Sequence, residues 1–508
     1  MRSPRFSFLL KIGVTAALVT AFNWLFPANI GGLSVGIFAL AWLLGLIIGR
    51  RAVRRPRLDI AIALALAATF CVSLAYDPGP LAWVMFWSAL SITTLLPRTQ
   101  GFDDAWRWTI RLLLHGFIGT AQPVIDLLHA LTVKPRSKRR TFSSLVALLA
   151  LPIIGTALFT ALFTIANPVI EEMLSHIQLP SPGKIIEWTF VTLLVWPALR
   201  PHAIVTRLRL PEPAIGLPGA SLPSVLIALS LFNILFAVQN GLDIAFLWSG
   251  APLPPGMTMT EYVHRGAYPL IATALLAGLF VLTMLRPGTL TSRNKTARRL
   301  VALWVAQNLF LVASSALRTI DYVVQFELTA WRIAALLWMA LVATGLILIC
   351  WRMWFEKSTR WLLNTNAFAA ASMLVPCCFV DLQASAAIWN VRHAQEAGGD
   401  GQQIDLCYLT NMGAPALLPL IELEHRPLTA ELHEHIVAVR SDVLDALVRD
   451  QANWWSWTPH GALRLTRALA LLGPAPQRPA PIPQNGWRNC DGSVDRTETP
   501  ALTGTPAQ

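Results

Sequence analysis

The sequence predicts an all-α protein: a polytopic transmembrane helical bundle of about 11 spans, with 10–12 as the range, a small helical C-terminal appendage and a disordered tail. Three observations predict it. Hydrophobic residues make up 55% of the 508 and charged residues only 13%, against roughly a quarter charged in soluble domains. Mean hydropathy is +0.53. Apolar runs recur from residue 12 to about 380, many close to the roughly 20 residues that cross a bilayer as a helix. The third observation is where the positive charge lies.

Net charge is +12, but residues 391–508 hold nine arginines, no lysine and thirteen carboxylates, so the basic excess belongs to the part before them. It sits in short clusters between apolar runs: GRRAVRRPR (49–57), KPRSKRR (134–140) and RPGTLTSRNKTARR (286–299). Basic loops of this kind orient helices by staying on the cytoplasmic side. The distribution therefore argues against a nucleic-acid partner and for the lipid bilayer.

Taken in order, the first run (7–26) follows Arg2 and Arg5 and is interrupted by Lys11. With a second span directly behind it (31–49), it is expected to be a retained helix rather than a cleaved signal. Spans at 58–76 and 81–97 form a hairpin around DPGP, and 98–141 reads as a cytoplasmic segment with a helix lying in the interface. Further spans are expected at 143–168, 184–200, 222–248, 266–286, 299–319, 330–355 and 361–382. Counting from a cytoplasmic N-terminus, this order leaves the C-terminal region outside. For a bacterial inner membrane that means the periplasm. GLIIG (45–49) has the small-xxx-small spacing of close helix packing.

The membrane domain is placed at 1–389, a small helical domain at 390–473 and a Pro/Thr-rich disordered tail at 474–508. Between 428 and 449, Leu432, Ile436, Val439, Val443 and Leu447 form one stripe at helical spacing. A Trp-led helix follows at 453–473. Cys407 and Cys490 can pair if this region faces an oxidising compartment. The six cysteines have no metal-ligand spacing, and no cofactor is expected.

Ionisable residues stand out in GMTMTEYVHRGAYP (256–269). Thr258 and Glu261 have capping-box spacing, and Met257 with Tyr262 sit where a hydrophobic staple would. Glu261 and Arg265 are four apart, which suits an ion pair. Gly266 and Pro269 predict a bend into the next span. Tyr262 and His264 belong to the same short run. The preceding span carries Asn233, Gln239, Asn240 and Asp243, with Asn233 and Asn240 seven apart and so on one face. The ninth span carries Gln307, Ser314 or Ser315 and Arg318, followed by Asp321, Glu327 and Arg332. Charged residues beside a bilayer usually face one another or a cavity. Two readings follow: a shared polar cavity near the external face, or plain ion pairs such as Arg318–Asp321 and amide bridges between helices.

These residues carry a resemblance. FNILFAVQNGLDIAFLWSG, GMTMTEYVHRGAYPLI and RTIDYVVQFELTAWRIAALLWM are similar to the bacterial membrane family DUF4173, which is related to DUF4153. IDLCYLTNMGAPALLPLIELE (404–424) and NWWSWTPHGALRLTRAL resemble its later tracts. The similarity covers about 220–470, while the first 200 residues match only in being apolar. It implies a bacterial inner-membrane protein with no established activity and no catalytic residues to carry over.

Three functions fit: a transporter or permease with a polar cavity, an envelope sensor or scaffold using the C-terminal domain, and a membrane-embedded enzyme. The last is weakest, because the chain has no nucleophile elbow, HExxH, P-loop or CxxC. Beyond the bilayer, the partner is a small molecule or a protein.

Overall fold

The computed structural model describes residues 4–27, 30–54, 57–99, 101–132, 180–207, 221–248, 294–482 and 486–496, with isolated positions between 152 and 159 and between 273 and 280. They fall into two compact units, one of residues 1–74 and 82–210, the other of 75–81 and 211–508.

The first unit is built on α1 (Pro4–Leu25), α2 (Leu33–Gly49), α3 (Leu58–Tyr76), α4 (Pro80–Leu95), α5 (Ala105–Thr132), α6 (Pro182–Leu199) and the short α7 (Ala203–Arg207). Gly45 is where α1 and α2 close on each other: an added Cβ would lie 3.0 Å from Val14 Cγ1 and 3.2 Å from Leu18 Cδ1. At Gly49 a Cβ would meet Leu199 Cδ2 of α6 at 2.9 Å. The small-xxx-small motif is therefore a packing device. The segment expected in the interface forms one 28-residue helix, α5, with Pro123 inside it.

The second unit opens with α8 (Leu222–Asp243), which runs into a π-turn at Ile244–Trp248. α9 (Lys295–Phe326), α10 (Ala330–Trp354) and α11 (Thr359–Cys377) follow. Their starts are set by polar caps. Ser221, Asn294, Thr329 and Ser358 each accept a hydrogen bond from the backbone N–H three residues on. Apolar packing of Val225, Leu229 and Phe236 against Trp304, Val305 and Leu346 joins α8, α9 and α10.

A separate core gathers α12 (Leu382–His393), α13 (Leu406–Met412), α14 (Leu417–Glu424), α15 (Ala430–Ala452) and α16 (Pro459–Leu472). Ile436, Val439, Val443 and Leu447 are buried in it and Leu432 is half-buried against it, as the predicted stripe requires. Arg440 is 0% exposed. Its Nε and Nη2 donate to Glu424 Oε2 and Oε1 at 2.8 and 3.0 Å, and Nη2 also reaches the carbonyl of Gln477 at 2.8 Å.

Among the described residues, six helices are long and apolar enough to cross a membrane: the Phe8–Leu25 part of α1, α3, α4 together with the turn after it (Pro80–Arg98), and α8, α9 and α10. α2, at 17 residues, is a shorter apolar helix, and α11 with α12 forms a pair bent by 68°. The described helices therefore do not support a count of 11. The span expected at 361–382 ends at Cys377, where Pro376 and the capping Asp381 of α12 break it. Those expected at 143–168 and 266–286 lie outside the described residues.

The disordered tail is also corrected over its described residues. Residues 486–488 and 494–496 form an antiparallel β-hairpin, β1–β2, turning through Gly492 at φ 86°. Cys490 in that turn is disulfide-bonded to Cys407 on α13. Ala480 N–H donates to Glu434, and Thr410 donates to the Cys490 carbonyl at 2.7 Å. A Pro-rich composition suggested solvated chain, but a covalent link and backbone hydrogen bonds hold this stretch on the domain.

Candidate functional site

α8 and α9 run parallel, and their contact face is a polar seam. Asn233 Nδ2 donates to the carbonyls of Leu229 and Leu300 at 2.7 and 3.0 Å. Gln307 Nε2 donates to the Asn233 carbonyl at 3.1 Å, and Asn240 Nδ2 to the Gln307 carbonyl at 3.3 Å. Further along, Asp243 Oδ1 takes a short contact from Arg318 Nη2 and a hydrogen bond from Gln239 Nε2 at 3.1 Å. Trp248 Nε1 donates to Ser314 Oγ at 3.1 Å.

Every amide nitrogen on this seam is committed to an acceptor, which fixes which way each amide points. The other ends are different. Asn233 Oδ1, Asn240 Oδ1, Gln307 Oε1 and Asp243 Oδ2 are buried acceptors with no hydrogen-bond partner among the described residues. Asn233, Asn240 and Asp243 are 6%, 9% and 2% exposed. From Asn233, in the middle of α8, to Asp243 at its end is about 15 Å at 1.5 Å per residue. Leaving a buried acceptor unpaired costs about 1–3 kcal/mol, so four on one seam call for an explanation.

The structure brings Asn233, Gln239, Asn240, Asp243 and Arg318 onto this one seam. Gln307 and Ser314, read in the sequence on the ninth span, lie on the seam as well. The Arg318–Asp321 pair is corrected. Arg318 bonds Asp243 of α8 instead, because its long side chain turns into the helix–helix contact, where it is 7% exposed. Asp321 is half-buried and takes no part in the seam. Glu261, Tyr262, His264 and Arg265, the proposed capping box and the proline bend lie outside the described residues.

Glu327 and Arg332 belong to a second cluster at the turn after α9. Glu327 sits at φ 64°, ψ 166°, a region that non-glycine residues enter at about 1–3 kcal/mol. Surrounding bonds hold it there. Its Oε1 accepts from Asp405 N–H at 2.9 Å and its Oε2 from Asn390 Nδ2 at 3.2 Å. Arg332 donates to the Phe326 and Glu327 carbonyls and stacks 4.4 Å from the Tyr322 ring. Burial pushes the Glu327 carboxyl above the ordinary glutamate range, against the pull of the Asp405 hydrogen bond. The cluster ties the α9–α10 turn to the C-terminal helices.

Among the described residues, one group has metal-ligand chemistry: Asp77, Asp381 and His460 bring ligand atoms within 4.8 Å of one another. A cation is already present there. Arg464 Nη2 lies 2.5 Å from Asp381 Oδ2 and 3.2 Å from His460 Nε2. Asp381 Oδ1 caps α12 through Ala384 N–H at 2.8 Å. Both oxygens of Asp381 are thus occupied by protein donors, and the trio fits a structural ion network better than a metal centre.

The model of the family "Domain of unknown function (DUF4153)" matches residues 60–423. The chain belongs to the DUF4153 family. The match starts far earlier than the resemblance at 220–470 suggested, so the first unit from residue 60 onward is part of the family's domain and not merely apolar. It includes the α8–α9 seam and the Glu327 cluster, and stops before α15, α16 and the hairpin. No curated protein and no solved structure matches the chain. This DUF4153 member is a helical, multi-pass membrane protein by its six long apolar helices.

Proposed function

We propose that the protein is a membrane transporter of the permease type, with the α8–α9 seam as the place where a coupling proton is handled. The observation that carries this reading is the set of four buried oxygens at Asn233, Asn240, Gln307 and Asp243 that have no donor among the described residues. An acceptor inside a membrane domain has no bulk water to turn to. Oxygens that only accept suit a proton-carrying water file. Arg318 on the other oxygen of Asp243 disfavours a metal cation at the same carboxylate. The seam reaches from mid-helix to the helix end, and midplane polar groups are where transporters place their sites.

Orientation follows the same reading: N-terminus cytoplasmic, C-terminal domain periplasmic, in a bacterial inner membrane. Basic loops support it, as does the Cys407–Cys490 bridge, a bond that persists in oxidising compartments. The DUF4173 subgroup remains our assignment from the sequence stretches quoted above. A sensor or scaffold role is the second reading, favoured by the direct bonds from Glu327 to the C-terminal helices.

The test is proton flux into proteoliposomes carrying an internal pH dye, driven by a potassium diffusion potential. The wild type should take up protons faster than empty liposomes. A folded Asp243→Asn protein should lose about a hundredfold, the lower end of what a positioned proton-transfer group contributes. Wild-type flux equal to empty liposomes, or equal to Asp243→Asn, would sink the proposal.

A further inference from the structure

The first unit contains a cavity that the seam does not explain. It has a volume of about 860 Å³ and lies between α1, α5 and α6, within the range of roughly 300–1,000 Å³ typical of small-molecule sites. Its walls are mostly apolar: Ile12, Val19, Leu127 and Leu193, with Trp188 and Trp196. Along α1 it extends from Phe8 to Asn23, about 22 Å at 1.5 Å per residue. That is a long, narrow, apolar space.

One end is charged. Phe8 meets Trp196 edge-on at 5.9 Å, and the Arg200 guanidinium lies 5.1 Å from the Phe8 ring. Asp126 lies in the lining and is 5% exposed. It accepts from Trp196 Nε1 at 2.8 Å and Gln122 Nε2 at 2.9 Å, and pairs with Arg200 Nε at 3.2 Å. Asp126 is thus already neutralised. Lys11, one turn from Phe8 and half-buried, has an ammonium with no hydrogen bond or ion pair among the described residues, its carbonyl alone accepting from Thr15 Oγ1, yet it feels the charges of Arg50, Arg98 and Arg200 as well as Asp126. Arg50 and Arg98 donate to the carbonyls of Thr94 and Pro201. Three guanidinium charges and one carboxylate act on Lys11, so its surroundings are short of negative charge. At the far end, Trp188 Nε1 is buried without an acceptor.

We infer that this cavity holds an anionic phospholipid, its acyl chain along α1 and α6 and its phosphate at Lys11 and Arg200. The occupant combines what the two parts of the site lack: an apolar chain to fill a long apolar space, and an anion for an unpartnered ammonium in a basic cluster. Free phosphate would satisfy only the second, and a neutral lipid only the first.

The test is native mass spectrometry of the full chain in detergent with added phosphatidylglycerol or phosphatidylcholine. One phosphatidylglycerol should survive activation that strips phosphatidylcholine. Lys11→Gln should lower that preference about fivefold, the effect of one basic residue at a lipid surface. Thr192→Trp, which fills the cavity, should abolish retention of both lipids. Ala16→Phe serves the same purpose if Thr192→Trp does not fold. Inorganic phosphate at millimolar concentration should not displace the lipid. Equal retention of the two lipids by wild type, displacement by phosphate, or an unchanged preference in a folded Lys11→Gln protein would each overturn the assignment.

Discussion

Two of the buried arginines pair with carboxylates in opposite ways. Arg440–Glu424, in the C-terminal helices, is closed: both carboxylate oxygens are taken, and the guanidinium has further acceptors in Ser441 Oγ and the Gln477 carbonyl. Arg318–Asp243, between α8 and α9, is open: Asp243 Oδ1 receives Arg318 and Gln239, while Oδ2 has no partner among the described residues. A closed pair locks a domain. An open pair in a membrane domain leaves a group that something else must complete, and the neighbouring orphan oxygens of Asn233, Asn240 and Gln307 extend the same deficit along the seam. Similar residues therefore have different uses, and the hydrogen-bond inventory separates them where residue type does not.

The comparison is broken most sharply on the closed side. Arg440→Met strands Glu424 in a buried site and should destabilise the C-terminal helices by about 3–5 kcal/mol, read as a lowered midpoint in denaturant or thermal unfolding. Proton flux in the surviving folded fraction should be unchanged. A smaller effect comes from the staple beside it. Cys407→Ser with Cys490→Ser removes a link between residues 83 apart and should cost about 2–4 kcal/mol, again without altering flux. Reductant should shift the wild type to the variant's midpoint and leave the variant where it is.

Much of this was legible in the sequence, for a definite reason. Helical stripes such as Ile436–Val439–Val443 and the seven-residue spacing of Asn233 and Asn240 follow from 3.6-residue periodicity, which is local. Arg318's partner is not local. Asp321, three residues away, and Asp243, 75 residues away, are equally acidic in sequence, and only the parallel packing of α8 on α9 decides between them. The hairpin at 486–496 had a local sign, the Asn489–Asp491–Gly492 turn chemistry between Trp487 and Val494, but the prolines before it read more loudly. The cavity at α1, α5 and α6 was foreshadowed only by Lys11 interrupting an apolar run.

The smallest expected effect concerns Glu327, at the joint between the two kinds of region. Burial raises its carboxyl above the usual range. A group with a raised folded pKa contributes stability that is fully present below the unfolded value near 4.5 and is lost as pH rises through the folded one. Stability should therefore fall slightly from pH 4.5 towards neutrality, and Glu327→Gln should flatten that slope. A slope of unchanged size in the variant would remove Glu327 as its source.

The central claim is that the open pair is used and not only packed. It is tested most directly by exchanging the charges, Asp243→Arg together with Arg318→Asp, in the proteoliposome flux assay alongside each single substitution. The account predicts that the exchange recovers thermal stability lost by the single variants, because an ion pair is restored, while proton flux stays near the level of empty liposomes, because the carboxylate has left the row of oxygens on α8. Recovery of flux together with stability would contradict it and make Arg318–Asp243 a second lock.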